Sequence, residues 1–268
     1  MKQSTKVILY CLLSWAAYAF LCFKFKNCTV PWIGILVSTS IVIFDAVGLI
    51  YSFEIWKKAE QPIKRAFGFL TLSFIAITID DAIYQPIYNI LKYTHEVQVD
   101  KDIYLLSSYN IAYTIFLFLR ALSLGAFLNA VYYINRKSKI FPLIISASAI
   151  FLLINIAMLA TKNYNLAEFY DSTQQLLKMV NLITLTACLL LIANTGLFIM
   201  CFGYFVEMTN SGVMGLGIFG QTFNSLSLSE TMFFFDSLLI VYGLYYMLNN
   251  NEYKISDFNK KKPLNWRQ

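Results

Sequence analysis

The chain carries little charge and few of the residues on which metal, thiol and triad chemistry depend. Charged residues make up 13% of its 268 positions, and it holds one histidine, five cysteines and five prolines. Soluble domains carry about 25% charged residues, so this is not the composition of a soluble core. The one histidine, His95, lies in a loop, which leaves neither paired histidines nor a His/Cys set at metal-ligand spacing. A Ser-His-Asp triad would have to draw on that same loop residue. Four cysteines (Cys11, Cys22, Cys188 and Cys201) fall in apolar stretches and only Cys28 in a loop, so no disulfide framework is implied. No lysine ends the glycine run at Gly212, Gly215, Gly217 and Gly220, which excludes a phosphate-binding loop there. Nothing points to a cofactor or to nucleic-acid binding.

What the chain has in abundance is apolar surface: 58% of its residues are hydrophobic and 17% aromatic, with a mean hydropathy of +0.60. Its solvent is therefore expected to be a lipid bilayer, and its fold class all-α, a polytopic membrane helix bundle. Apolar runs of about 17–25 residues are long enough to cross ~30 Å of hydrocarbon. They fall near 7–23, 32–53, 66–88, 105–131, 140–160, 179–204, 212–228 and 232–248. This predicts about eight transmembrane helices, or seven plus a glycine-rich re-entrant segment at 212–228. Residues 1–250 read as one integral membrane domain and 251–268 as a basic cytoplasmic tail. The first run imitates a signal peptide, but Ala19-Phe20-Leu21-Cys22 fits no cleavage pattern, so it reads as an uncleaved helix.

Basic residues set the orientation. Lys57-Lys58, Lys64-Arg65, Arg136-Lys137-Lys139 and Lys260-Lys261-Lys262 form short runs, and cytoplasmic loops attract lysine and arginine. The loops around 95–102 and 168–171 are slightly acidic and belong outside. Alternation then puts the N-terminus inside, and eight crossings return the basic tail to the same side. A bacterial inner membrane is the expected location.

Five charged residues lie within these runs: Asp45, Asp80, Asp81, Arg120 and Asp236. A charge in hydrocarbon costs about 2.5–3.5 kcal/mol on insertion scales, so it marks a partner, a pathway or a site. At ~1.5 Å per residue, Asp45 and Arg120 sit about 13–16 Å above the inner ends of their runs. Asp80 and Asp81 sit about 12 Å below the outer face on the same arithmetic. This suggests an inner Asp45–Arg120 pair and an outer cluster of Asp80, Asp81 and Asp236, with Arg120 reaching up to Asp80 or Asp81 as the alternative. One cation cannot neutralise four carboxylates. At least one acid is then protonated, hydrated or paired with something from outside the chain. No lysine lies within a run as drawn, so a retinal-type Schiff base has no attachment point.

Two resemblances add to this reading. Lys64-Arg65-Ala66-Phe67, Asp80-Asp81-Ala82-Ile83-Tyr84, Asp102-Ile103-Tyr104-Leu105-Leu106, Tyr109 and Leu119-Arg120 follow one another across Pro62–Arg120. That stretch resembles the multi-span sensor module found ahead of bacterial histidine kinases and diguanylate cyclases. It implies a sensor-like or adaptor module which, lacking an output domain in this sequence, acts through a cytoplasmic or membrane signalling partner. Ser73 to Asp80 and Phe235-Asp236-Ser237-Leu238-Leu239 are similar to the two acidic helix motifs of the YhhN-type lysoplasmalogenases, although Ile79 stands where that family has glycine. This second resemblance implies a membrane lipid hydrolase using Asp80, Asp81 and Asp236 as acid/base carboxyls. A third reading, a proton- or cation-coupled small-molecule carrier, follows from the intramembrane acids alone.

Overall fold

In a bilayer, a helix satisfies its backbone polar groups within the segment itself, and among the described residues the apolar stretches are helical. The computed structural model describes residues 3–24, 32–94, 107–135, 166–191, 194–215 and 228–254, with positions 146, 150, 153, 157 and 258. Among these there are seven extended helices and no strands: α1 (Gln3–Lys24), α2 (Trp32–Lys58), α3 (Ile63–Thr94), α4 (Ser107–Asn135), α5 (Leu166–Leu191), α6 (Thr195–Gly215) and α7 (Leu228–Asn249). Thr39–Lys58, Ile63–Ile83, Ile111–Ala130 and Met232–Asn249 are each long and apolar enough to cross a membrane, and Thr5–Leu21 and Thr195–Met208 are shorter apolar helices. Isolated positions 146, 150, 153 and 157 are helical. The remainder of the 140–160 run, and 216–227 of the glycine-rich segment, lie outside the described residues.

The structure corrects one boundary of the sequence reading. Residues 179–204 do not form a single helix, because the chain breaks at Asn194 between α5 and α6. Asn194 is the N-cap of α6: its Oδ1 accepts the Leu197 N–H at 2.8 Å, which satisfies one of the free donors of the first turn. The start of the expected 212–228 span, residues 212–215, is the end of α6.

The helices close into a ring. α2 packs on α3, α3 on α4, α4 on α5, α5 on α6, α6 on α7, and α7 back on α2, while α1 lies against α7 and touches α6. Several side chains fix their directions. Phe44 meets Phe234 at a centroid distance of 5.4 Å and Tyr51 meets Tyr245 at 6.0 Å, so α2 and α7 run parallel. Gln174 bonds Thr114 and Asn181 bonds the Leu117 carbonyl, so α4 and α5 also run parallel. The end of α4 and the start of α5 thus lie at opposite ends of the bundle. Trp15 and Tyr18 lie near Phe235 and Phe234, while Val7 and Cys11 belong to the cluster that includes Leu239, so α1 is antiparallel to α7. The start of α1, the end of α7 and the basic α2–α3 turn consequently share one end.

Close packing between α6 and α7 comes from glycine. A Cβ on Gly203 would sit 2.8 Å from the Asp236 carbonyl, and one on Gly243 would sit 2.6 Å from the Met200 nitrogen. Small residues of this kind let helix backbones approach where lipid supplies no hydrophobic drive. At the basic end, α7 stops in a Schellman motif. Asn251 takes a left-handed φ of 53°, Glu252 N–H bonds the Met247 carbonyl at 2.9 Å, and Asn251 N–H bonds that of Leu248 at 3.4 Å. Asn194 Nδ2 then donates to the Glu252 carbonyl at 3.0 Å, pinning the α5–α6 turn to this cap. The residues just after α7 pack against the bundle: Tyr253 and Phe258 are buried, and Phe258 stacks on Phe127 at 6.2 Å.

Candidate functional site: a layer of charge inside the ring

Each helix of the ring contributes charge to one layer. The residues are Asp45 on α2, Asp80 and Asp81 on α3, Arg120 on α4, Lys178 on α5, Glu207 on α6 and Asp236 on α7. Counting ~1.5 Å per residue from the ends that share the basic α2–α3 turn, they lie about 18–27 Å up the bundle. The two polar layers expected from the sequence are thus a single layer.

Arg120 is completely buried, with 0% of its surface exposed. Its Nη1 donates to Glu207 Oε2 at 2.6 Å and its Nη2 points at the Met208 sulfur at 3.0 Å. The guanidinium also lies over the rings of Phe116 at 4.4 Å and Tyr204 at 4.7 Å. These contacts surround the cation with the planar, polarisable partners a guanidinium prefers. Its Nε, like the buried Tyr204 hydroxyl, has no hydrogen-bond partner among the described residues.

The expected pairing of Arg120 with Asp45, or with Asp80 or Asp81, does not form; Glu207 takes the arginine instead. Hydropathy hid Glu207, since it falls three residues beyond the apolar run drawn to 204. Recognising Asn194-Thr195-Gly196 as a helix start would have extended the next helix across Glu207. Lys178 was missed for the same reason, one residue before 179. It sits midway along α5, outside the run as drawn, its ammonium 5.6 Å from the Tyr113 ring centre and within electrostatic range of Glu207.

The acids gather without that cation. Asp45, half-buried, faces Asp81 within hydrogen-bonding reach and also faces Glu207 and Asp236. Asp236 is only 1% exposed. Its Oδ1 accepts a long bond of 3.3 Å from Ser237 and its Oδ2 has no partner among the described residues. Asp80 is 3% exposed, beside Asp81, and its Oδ1 has no partner among the described residues. Among the described residues the layer thus holds five carboxyls against two cations, and several of its buried polar atoms have no partner. Buried polar atoms are normally bonded, so each exception calls for a cause. The oxygens do not converge as a metal site: among the described residues no group of three or more His, Cys, Asp or Glu could hold a metal ion.

Hydroxyls and amides brace the walls. Ser123 donates to the Ala66 carbonyl at 2.9 Å between α4 and α3, Thr71 bonds Ser52 at 3.3 Å between α3 and α2, and Asn181 joins α5 to α4. Interhelical bonds of this kind contribute about 0.6 kcal/mol each in membrane bundles.

No family model, curated protein or solved structure matches the chain. The class is defined by its architecture: an all-helical bundle with at least four helices able to cross a membrane and a charged layer in its interior.

Proposed function

We propose that the protein is an integral membrane module of the sensor-like or adaptor kind, without catalysis of its own, whose input site is the charged layer. One observation carries this reading: all six helices of the ring place ionisable groups in that layer. A change of charge or occupant there alters the forces between every adjacent pair of helices. The module then passes that change to a signalling partner at its basic end. Lys57, Lys58, Lys64 and Arg65 cluster at that end, which favours a cytoplasmic position for it and, with it, for both termini. A bacterial inner membrane accommodates this orientation.

Hydrolysis of a membrane lipid is the second reading. The observation in its favour is that Asp81 and Asp236 both border Asp45, which brings several carboxyls together in a buried site. A total lipid extract incubated with the protein in nanodiscs and followed by mass spectrometry separates the two. The sensor reading expects no lipid consumed, and Arg120→Ala to change hydrogen exchange in the 59–62 turn. A lipid consumed by wild type and spared by Asp80→Asn or Asp236→Asn would make the protein an enzyme.

A further inference from the structure

We propose that the chain after α7 is a releasable cross-tie at the basic end of the ring, latched by Phe258 and coupled to the Arg120–Glu207 pair. It deepens the sensor reading by supplying that reading's output, and its own test does not depend on any signal being passed.

The tie is defined by its attachments. Past the Schellman turn, the Glu252 carbonyl accepts from Asn194 Nδ2 at 3.0 Å, which fastens the chain to the N-cap of α6. Tyr253 is buried, and its hydroxyl donates to Asn251 Oδ1 at 2.8 Å. Phe258 stacks on Phe127 of α4 with an interplanar angle of 16°, and Phe127 meets Phe67 of α3 edge-on at 5.0 Å. Phe258 is 2% exposed, so its ring is enclosed rather than laid on the surface. The chain thus leaves α7, is held at α6 and reaches α3 and α4 on the far side of the ring.

The helices joined by this tie meet again deeper in the bundle. Arg120 on α4 and Glu207 on α6 bond at 2.6 Å, although α5 stands between those helices in the ring. Phe127 follows Arg120 by two turns on the same face of α4, and both side chains are fully buried. Asn194 opens the helix that carries Glu207. Pair and tie therefore hold one spacing, α4 to α6, at two levels about 10 Å apart along α4. Whatever widens that spacing strains both, and by linkage what loosens one loosens the other by the same factor. Among the described residues, the far end of the tie is a single aromatic side chain, so the tie opens there first. Opening uncovers Phe127 at the end of the bundle where the signalling partner is proposed to bind.

Fluorine NMR on the whole chain in micelles, with para-fluorophenylalanine in place of Phe258 alone, tests this. The latched ring should give a resonance shifted by the Phe127 ring and insensitive to replacing water with deuterium oxide. A second resonance, at the position seen in denaturant and moved by deuterium oxide, reports the released tie. Glu207→Gln should raise the released population about tenfold, within the usual range for coupled sites. If that variant does not fold, Arg120→Met with Glu207→Leu carries the same expectation. Asn194→Asp keeps the α6 cap and removes the donor to Glu252, so it should release the tie as well. A wild type showing only the released resonance overturns the proposal, and that measurement needs no variant. A population unchanged in Asn194→Asp, or in whichever pair variant folds, overturns it too. Release that follows these variants while the signalling partner's response stays unchanged would keep the tie and remove the sensor reading instead.

Discussion

Arg120 and Glu207 meet at 2.6 Å inside the bundle, joining α4 to α6 across 87 residues of chain. With the arginine fully buried, the pair is worth less as an attraction than as a constraint. Desolvating two charges offsets much of their Coulomb energy, whereas removing one partner strands the other. Glu207→Gln should therefore destabilise the protein by about 3–5 kcal/mol. The double variant Arg120→Met with Glu207→Leu should recover a large part of that loss. Reversible unfolding in mixed micelles, read as a double-mutant cycle, measures both; a double variant as unstable as the sum of the singles would show that the pair does not act as a unit.

The α6–α7 contact is set by backbone proximity. Gly243 has room for no Cβ, since one would approach the Met200 nitrogen at 2.6 Å and the Gly196 oxygen at 2.7 Å, both backbone atoms. Gly243→Val should lower stability by at least about 1–3 kcal/mol, the usual range for overpacking. Gly68→Ala meets only the Trp56 ring, at 3.3 Å, and should change the melting temperature far less.

Asn194 serves two helices. Its carbonyl oxygen caps α6 and its amide holds the Schellman turn after α7. Asn194→Ala should cost about 1 kcal/mol from the cap and also raise hydrogen exchange at 250–254. Asn194→Asp keeps the cap and loses the donor, so it should raise exchange at 250–254 with a smaller effect on α6. Equal exchange in all three proteins would show that the turn is held by other contacts.

Cys11, Cys188 and Cys201 are buried, and the last two thiols face each other between α5 and α6. In a background with Cys22 and Cys28 replaced by serine, none of the three should react with a water-soluble maleimide until the protein is unfolded. Fast labelling of native protein at Cys188 or Cys201 would mean that α5 and α6 separate.

Much of this architecture is legible along the chain. The helical class follows from long apolar runs, and Asp45, Asp80, Asp81, Arg120 and Asp236 stand out because charge is rare among them. The partner of Arg120 is not legible in that way. Glu207 and Lys178 border apolar runs, where hydropathy treats a charge as the end of a helix. The Asn194 break was hidden by the apolar residues on both sides of it, which made two helices read as one.

Sequence by itself determined that the chain is helical and suited to a bilayer, because hydrocarbon leaves the backbone little choice but to bond within each segment. Tertiary structure decided which charges meet. That depends on the rotation and order of the helices, which Gly203 and Gly243, the Asn194 cap and the ring closure of α2 on α7 establish together. Periodicity along one helix carries no information about its neighbour. The choice of Glu207 over Asp45 for Arg120 is therefore a property of packing, since it arises only when α4 and α6 lie within reach of one another.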